Sequence, residues 1–199
     1  MLPDHMIAAR IRGGDIVIDP EPALDRLQPA SVDITLGDTY RTFHPPRRPI
    51  TLRSIPDNLT VLHRIGADGL TLAPGDFVLA TSAEHFTIPA DVCAFLHGRS
   101  TLGRLGLTVH VTAGLVDPGY AGDITLEVAN VGPLTVTLHV GDPIGQVTFE
   151  QLDQAALRPY GADGLSSRYQ HQTGAAAPRA VPLSDGLASV VELRAGDPA

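Results

Sequence analysis

Residues 98–130 read GRSTLGRLGLTVHVTAGLVDPGYAGDITLEVAN. A glycine-flanked polar turn gives way to a short His-Val-Thr-Ala-Gly strand, then to an Asp-Pro-Gly-Tyr turn, then to a longer strand. Successive side chains of a strand point to opposite sides, so Ile124, Leu126 and Val128 share one face and Thr125, Glu127 and Ala129 the other. The first face is core; the second carries Glu127 elsewhere. The window thus holds an anion cradle (Arg99, Ser100, Thr101, Arg104), a turn carboxylate (Asp117) and a strand carboxylate (Glu127).

The cradle follows from its chemistry. Arginine presents a planar fork that pairs with phosphate through two parallel hydrogen bonds. Serine and threonine hydroxyls add short donors, as do backbone N–H groups at a helix start. A helical turn from Ser100 would set Ser100 and Arg104 on one face. Gly98, Gly103 and Gly106 would let the backbone turn tightly against a ligand. The Gly-Lys-Ser/Thr ending of a Walker loop is absent. Taken alone, the heptad also reads as a solvated turn, and Glu127 as a solvated strand residue. In a half-buried pocket, desolvation would instead raise the Glu127 pKa and make it a useful base.

Extending outward, short strands are expected at 16–18, 31–36, 70–72, 77–81, 86–88, 92–96, 107–111, 124–129, 134–140 and 144–152. Residues 3–13 suggest an opening helix stopped by Gly13 and Gly14, and 44–66 an elaborated loop. Twenty glycines, seventeen prolines and no tryptophan suit such a turn-rich β fold, a barrel or jelly roll. The Ala/Pro-rich residues 176–199 read as a partly flexible tail on a single domain of residues 1–175.

A formal charge of −8 argues against a general nucleic-acid surface, so an anionic ligand needs a local basic cluster. No apolar run reaches membrane-spanning length and no signal-peptide pattern opens the chain. One cysteine, Cys93, excludes an internal disulfide and suggests a cytoplasmic protein. It lies in the apolar run 92–96 and reads as a core thiol. With no Cys-x-x-Cys, the ligand set of the zinc cytidine deaminases is missing. His110, between Val109 and Val111, is either a hydrogen-bonded core histidine or a site residue.

The run from Gly98 to Glu127 closely resembles the dCTP deaminase family, a branch of the trimeric dUTPase-like nucleotide hydrolases. The resemblance continues through Ile144-Gly145-Gln146, Arg158-Pro159-Tyr160 and Ser167 to Gln172, and begins at Gln28-Pro29-Ala30-Ser31-Val32-Asp33. It covers about residues 1–175. It implies a mainly β, dUTPase-like distorted barrel or jelly roll with a short N-terminal helix and small accessory helices.

By that resemblance the activity is zinc-independent: dCTP and water give dUTP and ammonia. Glu127 would be the catalytic acid/base, supported by Ser100 and Arg104. The nucleotide would be bound by Arg99, Ser100, Thr101, Leu102, Gly103, Arg104, Asp117, Thr125, Leu126, Glu127, Gln146, Tyr160, Arg168 and Gln172. Asp117 would take the deoxyribose 3′-hydroxyl, and residues 125–127 would read the base edge partly through backbone groups. The family usually carries lysine where Arg168 stands, which keeps the charge and changes the contact geometry. Magnesium would come with the triphosphate, with no protein metal site, and dUTP or dTTP would be product or inhibitor ligands. The resemblance further implies a homotrimer, the arginine turn of one subunit facing the Glu127 strand of its neighbour.

A bifunctional enzyme converting dCTP to dUMP, ammonia and diphosphate is the alternative. Bifunctional members carry glycine then an aromatic before the aspartate, and the simple deaminases His-Arg; here Gly114 matches the first pattern and Leu115 neither. A pure dUTPase would not need Glu127, and a non-catalytic nucleotide-binding regulator would keep the cradle and lose the acid.

Overall fold

The computed structural model describes residues 1–181. Helix α1 (Asp4–Arg12) opens the chain. The strands that follow are β1 (Val17–Asp19), β2 (Leu27–Gln28), β3 (Ser31–Phe43), β4 (Thr60–Arg64), β5 (Leu70–Leu72), β6 (Phe77–Thr87) and β7 (Val92–Gly98). After helix α2 (Ser100–Leu105) come β8 (Leu107–Thr108), β9 (Leu115–Val116), β10 (Ala121–Asn130), β11 (Val136–Leu138) and β12 (Pro143–Gln151). The protein is mainly β, as the sequence suggested.

Ten strands form one curled antiparallel sheet whose main path runs β8-β10-β6-β3-β12-β7-β9, while β11 and β5 pair separately. Strand β3 makes the curl: Val32 to Thr35 pair with β12, whereas Thr39 to Phe43 pair with β4. A strand that changes partner along its length must bend, and side chains on both of its faces become buried. The enclosed core is apolar, mostly aliphatic with two phenylalanines at its centre: Ile34, Leu36, Phe86, Leu126, Ile144 and Phe149 are sealed from solvent. Cys93 is buried as expected and unpaired.

Three expectations need correction. Residues 77–81 and 86–87 fall in one continuous strand, β6, and Ile88 lies just past its end. The loop 44–66 contains strand β4, whose sequence Thr-Val-Leu-His-Arg shows no apolar alternation because it pairs along one side only and leaves Val61 and Leu62 exposed. The strand anticipated at 107–111 ends at Thr108, and residues 109–114 are irregular. There the backbone serves the neighbourhood: Val109 O accepts from Glu127 N, and Gly114 O from Leu96 N.

Of the tail drawn from residue 176, residues 176–181 are laid against the barrel, with Val181 N–H on Leu52 O. Residues 182–199 lie outside the described residues.

Candidate active site

Strand β10 delivers Glu127 as its alternation requires. Ile124, Leu126 and Val128 are buried, and Thr125, Glu127 and Ala129 are half-buried on the opposite face. The Glu127 carboxylate accepts the Val111 N–H on Oε2 at 2.8 Å. It stands in a cleft of about 450 Å³ with Asp117, Thr125, Tyr160 and Gln172. Five residues chosen from sequence therefore line one cavity.

The other wall of the cleft was not legible as a site. Phe77 and Leu79 on β6, Phe43 on β3, Tyr120, Tyr169 and residues 176–178 complete it. Phe43 and Phe77 stack at 5.4 Å. Burial pushes the Tyr120 phenol up out of its ordinary range, the Asp123 charge adds to this, and its hydrogen bond with Gln172 opposes it. Tyr120 O–H donates to Asp123 O at 2.5 Å, and Gln172 Nε2 donates to Tyr120 Oη, Asp123 O and Thr125 Oγ1. That fan of bonds fixes the Gln172 amide and leaves its Oε1 buried without a partner among the described residues.

Tyr160 is fixed from both ends. Its N–H donates to Pro118 O, its hydroxyl accepts the Tyr169 N–H at 2.9 Å, and its ring lies 5.8 Å from that of Tyr120. Gln170 bridges the same turn, from Nε2 to Gly119 O and from Ala121 N–H to Oε1. Asp117 is exposed at the cleft mouth.

The cradle lies elsewhere. Arg99, Ser100, Thr101 and Gln146 line a second cleft of about 350 Å³ with residues 28–31 and Asp33, and the two clefts share no residue. Within one chain, the arginine turn and Glu127 are thus not brought together, despite their closeness in sequence. Helix α2 has the single turn foreseen, closed by Gly106 in the left-handed region at φ 88°. Arg104 projects from it, exposed, and Gly103 is exposed beside it. Leu102 and Leu126 point into the core, and the Leu126 backbone is paired with Ala80 in the β10–β6 ladder, so neither side chain is open to a ligand. Arg99 is paired: Nη1 reaches Asp33 Oδ2 at 2.6 Å. In register, Gln146 stands between Asp33 on β3 and His97 on β7, and Ser31 Oγ donates to its Oε1 at 3.4 Å.

Arg168 lines neither cleft; its carbonyl accepts from Arg179, and its buried Nε has no partner among the described residues. His110 also lies off both linings, its Nδ1 buried and unpartnered, packed beside Gly114. A Cβ on Gly114 would come within 3.1 Å of Leu96 O and 3.2 Å of His110 Cε1. Local packing therefore accounts for that glycine.

The profile of the dCTP deaminase-like family matches residues 1–152. The chain belongs to the dCTP deaminase-like family. Within the family it is 43% identical over 185 residues to the dCTP deaminase of Natronomonas pharaonis, covering 90% of this chain and 94% of that one. It is 42% identical over 176 residues to the dUMP-forming dCTP deaminase of Corynebacterium glutamicum, covering 87% and 93%. The crystal structure of 2′-deoxycytidine 5′-triphosphate deaminase from Agrobacterium tumefaciens superposes with a TM-score of 0.60 at 24% identity, covering 79% of this chain and 49% of that one. That likeness concerns the fold.

Proposed function

We propose that this protein is a dCTP deaminase, converting dCTP and water to dUTP and ammonia. The observation that carries the reading is Glu127. It is half-buried in an amphipathic cleft of a dCTP deaminase-like protein, with Oε2 fixed by Val111 and Oε1 free of protein partners among the described residues. A carboxylate held on one side and open on the other suits proton transfer.

Glu127 takes a proton from water as the oxygen bonds to C4 of cytosine. That proton passes to N3, and the proton left on the new C4 hydroxyl is carried by Glu127 to the amine, so that the C4–N bond breaks, ammonia leaves and the uracil carbonyl remains. Thr125 and the Glu127 side chain read the base edge from the open face of β10, Gln172 beside them holds the nucleotide, and Asp117 takes the 3′-hydroxyl. Tyr160 lines the same cleft and completes the grip, and the family resemblance assigns Arg168 to the nucleotide as well, although within one chain it lines neither cleft.

The cradle of Arg99, Ser100, Thr101, Gly103, Arg104 and Gln146, with the backbone of Leu102, comes from a neighbouring copy in a homotrimer. The separation of the two clefts supports this, since neither alone holds both a base and a cluster of phosphate donors. Asp33 sets the Arg99 guanidinium in place. The single domain of residues 1–175 works together with the wall at 176–178.

Magnesium would be held by the triphosphate and water, where it would neutralise phosphate charge. The described residues contain no cluster of three His, Cys, Asp or Glu side chains that fits a metal cage, and magnesium readily keeps phosphate and water ligands. dUTP and dTTP would occupy the same site. A cytoplasmic location agrees with the lone free thiol; no helix among the described residues is long and apolar enough to cross a membrane.

The test is incubation with dCTP and magnesium, resolving dUTP, dUMP, diphosphate and ammonia. dUTP and ammonia in equal amounts are expected. dUMP with diphosphate would assign the bifunctional reaction, and no ammonia would remove the deaminase reading.

A further inference from the structure

The segment 174–178, whose residues 176–178 wall the cleft, is tied to the sheet by a short series of bonds. Gly174 N–H donates to Asp123 Oδ2 at 2.7 Å, Ala175 N–H to Thr39 Oγ1 at 3.1 Å, and Ala176 N–H to Thr125 Oγ1 at 3.1 Å. Ala175 O accepts from Arg41 Nε at 2.6 Å. Of the three acceptors on the barrel, only Asp123 is a carboxylate, and its bond is the shortest of the three. Charged acceptors make the stronger hydrogen bonds to backbone N–H groups.

Asp123 is itself braced. His85 is its direct partner across the β10–β6 ladder, with Nδ1 2.9 Å from Asp123 Oδ1. The ladder slips just beyond this pair, between Asp123 and Thr125, a local irregularity of the kind that re-aims side chains. Both ends of the connection therefore have a defined geometry. At the far end, Gly174 adopts φ +64°, a left-handed turn, and a Cβ there would meet Thr39 Oγ1 at 3.0 Å.

The backbone of Asp123 holds the same segment. Its carbonyl accepts Gln172 Nε2 at 2.6 Å, and its N–H donates to Gln172 O at 3.0 Å. One residue thus grips Gln172 with its main chain and Gly174 with its side chain. Gln172 lines the Glu127 cleft, and residues 176–178 wall it.

We propose that Asp123, braced by His85, is a positioning residue that seats Gln172 and the 174–178 wall against the Glu127 cleft. Its carboxylate lines neither cleft. It acts through the segment it fixes, so its effect falls on nucleotide binding more than on the chemical step.

The test compares Asp123→Ala with Asp123→Asn, which keeps an acceptor for Gly174 N–H. Two readouts are used: amide hydrogen exchange at residues 174–176, and kcat and KM for dCTP. The kinetic readout rests on the deaminase reading; the exchange readout does not. In Asp123→Ala, exchange at 174–176 should rise about tenfold, the scale of losing one charge-assisted hydrogen bond. KM should rise about tenfold with kcat within about twofold, and Asp123→Asn should restore most of both. Unchanged exchange in Asp123→Ala, or kcat falling as far as KM rises, would overturn the proposal. If the wild type does not deaminate dCTP, the functional reading fails and exchange alone decides this one. Should Asp123→Ala not fold, Asp123→Ser, too short to reach Gly174, takes its place with the same outcomes.

Discussion

Glu127 and Val111 are joined by a backbone-to-carboxylate hydrogen bond of 2.8 Å, and the Glu127 N–H returns to Val109 O at 3.0 Å. The pair of bonds sews the irregular segment 109–114 to strand β10 where a β-ladder would otherwise have continued. The backbone that gives up regular pairing orients the carboxylate. One of its oxygens is spoken for, and the other faces the cleft.

Glu127→Gln should therefore abolish deamination while sparing binding. The amide oxygen still accepts from Val111, so the local fold survives, but the side chain cannot take a proton from water. A loss of about 10²-fold or more in kcat is expected, the scale of general-base catalysis, with the dissociation constant for dCTP within about threefold. Turnover above about a tenth of wild type would remove Glu127 from the base role.

The Arg10–Asp91 pair gives a pH-dependent contribution to stability. Arg10 Nη2 lies 2.7 Å from Asp91 Oδ2 and Gln151 Nε2 donates to the same oxygen, joining α1 to the turn before β7 and to β12. The Arg10 hydrogen bond first, then that of Gln151, holds the Asp91 carboxyl below its ordinary range. A carboxylate lowered in the folded state stabilises above its unfolded pKa of about 3.9 and loses that contribution as pH falls through the folded value. Asp91→Asn should thus cost up to about 1 kcal/mol at pH 7, moderated by solvent screening. The gap to wild type in thermal melts should shrink steadily below about pH 4. A gap that stays constant with pH would contradict the assignment.

Cys93 should behave as a sealed thiol. Burial first, and the Glu150 charge next to it, push its pKa up, and the thiolate is the reactive form. A thiol reagent at pH 8 should label the folded protein at least about 100-fold more slowly than the denatured chain. Rapid stoichiometric labelling of the native protein would contradict the burial described.

Much of this was legible in sequence, for definite reasons. The alternation of β10 announced its own burial, and the helical turn expected from Ser100 is present as α2, whose left-handed closure at Gly106 only the structure shows. What sequence could not supply was long-range pairing. Asp33 sits 66 residues from Arg99 and His85 sits 38 from Asp123, and each pair exists only through the sheet register. The aromatic wall was hidden for the same reason. Phe77 and Phe43 read as ordinary strand residues until β3 and β6 are brought side by side. The placement of cradle and carboxylate in separate clefts is likewise a property of the folded sheet, which carries the turn after β7 away from the open face of β10.

If a working site combines the arginine turn of one copy with Glu127 of another, two variants that are each inactive should complement one another. Arg104→Ala and Glu127→Gln variants, each inactive alone, are to be unfolded together, refolded as a mixture and assayed with dCTP. If sites form between copies, mixed trimers contain some sites with both residues intact, about a quarter of the total at equal mixing under random assortment. Recovery of roughly that share of wild-type activity is the expected result. If both residues of a site come from the same chain, every site in every mixed assembly carries a lesion. Activity no greater than that of the separate variants, in assemblies verified to be mixed, would contradict the account.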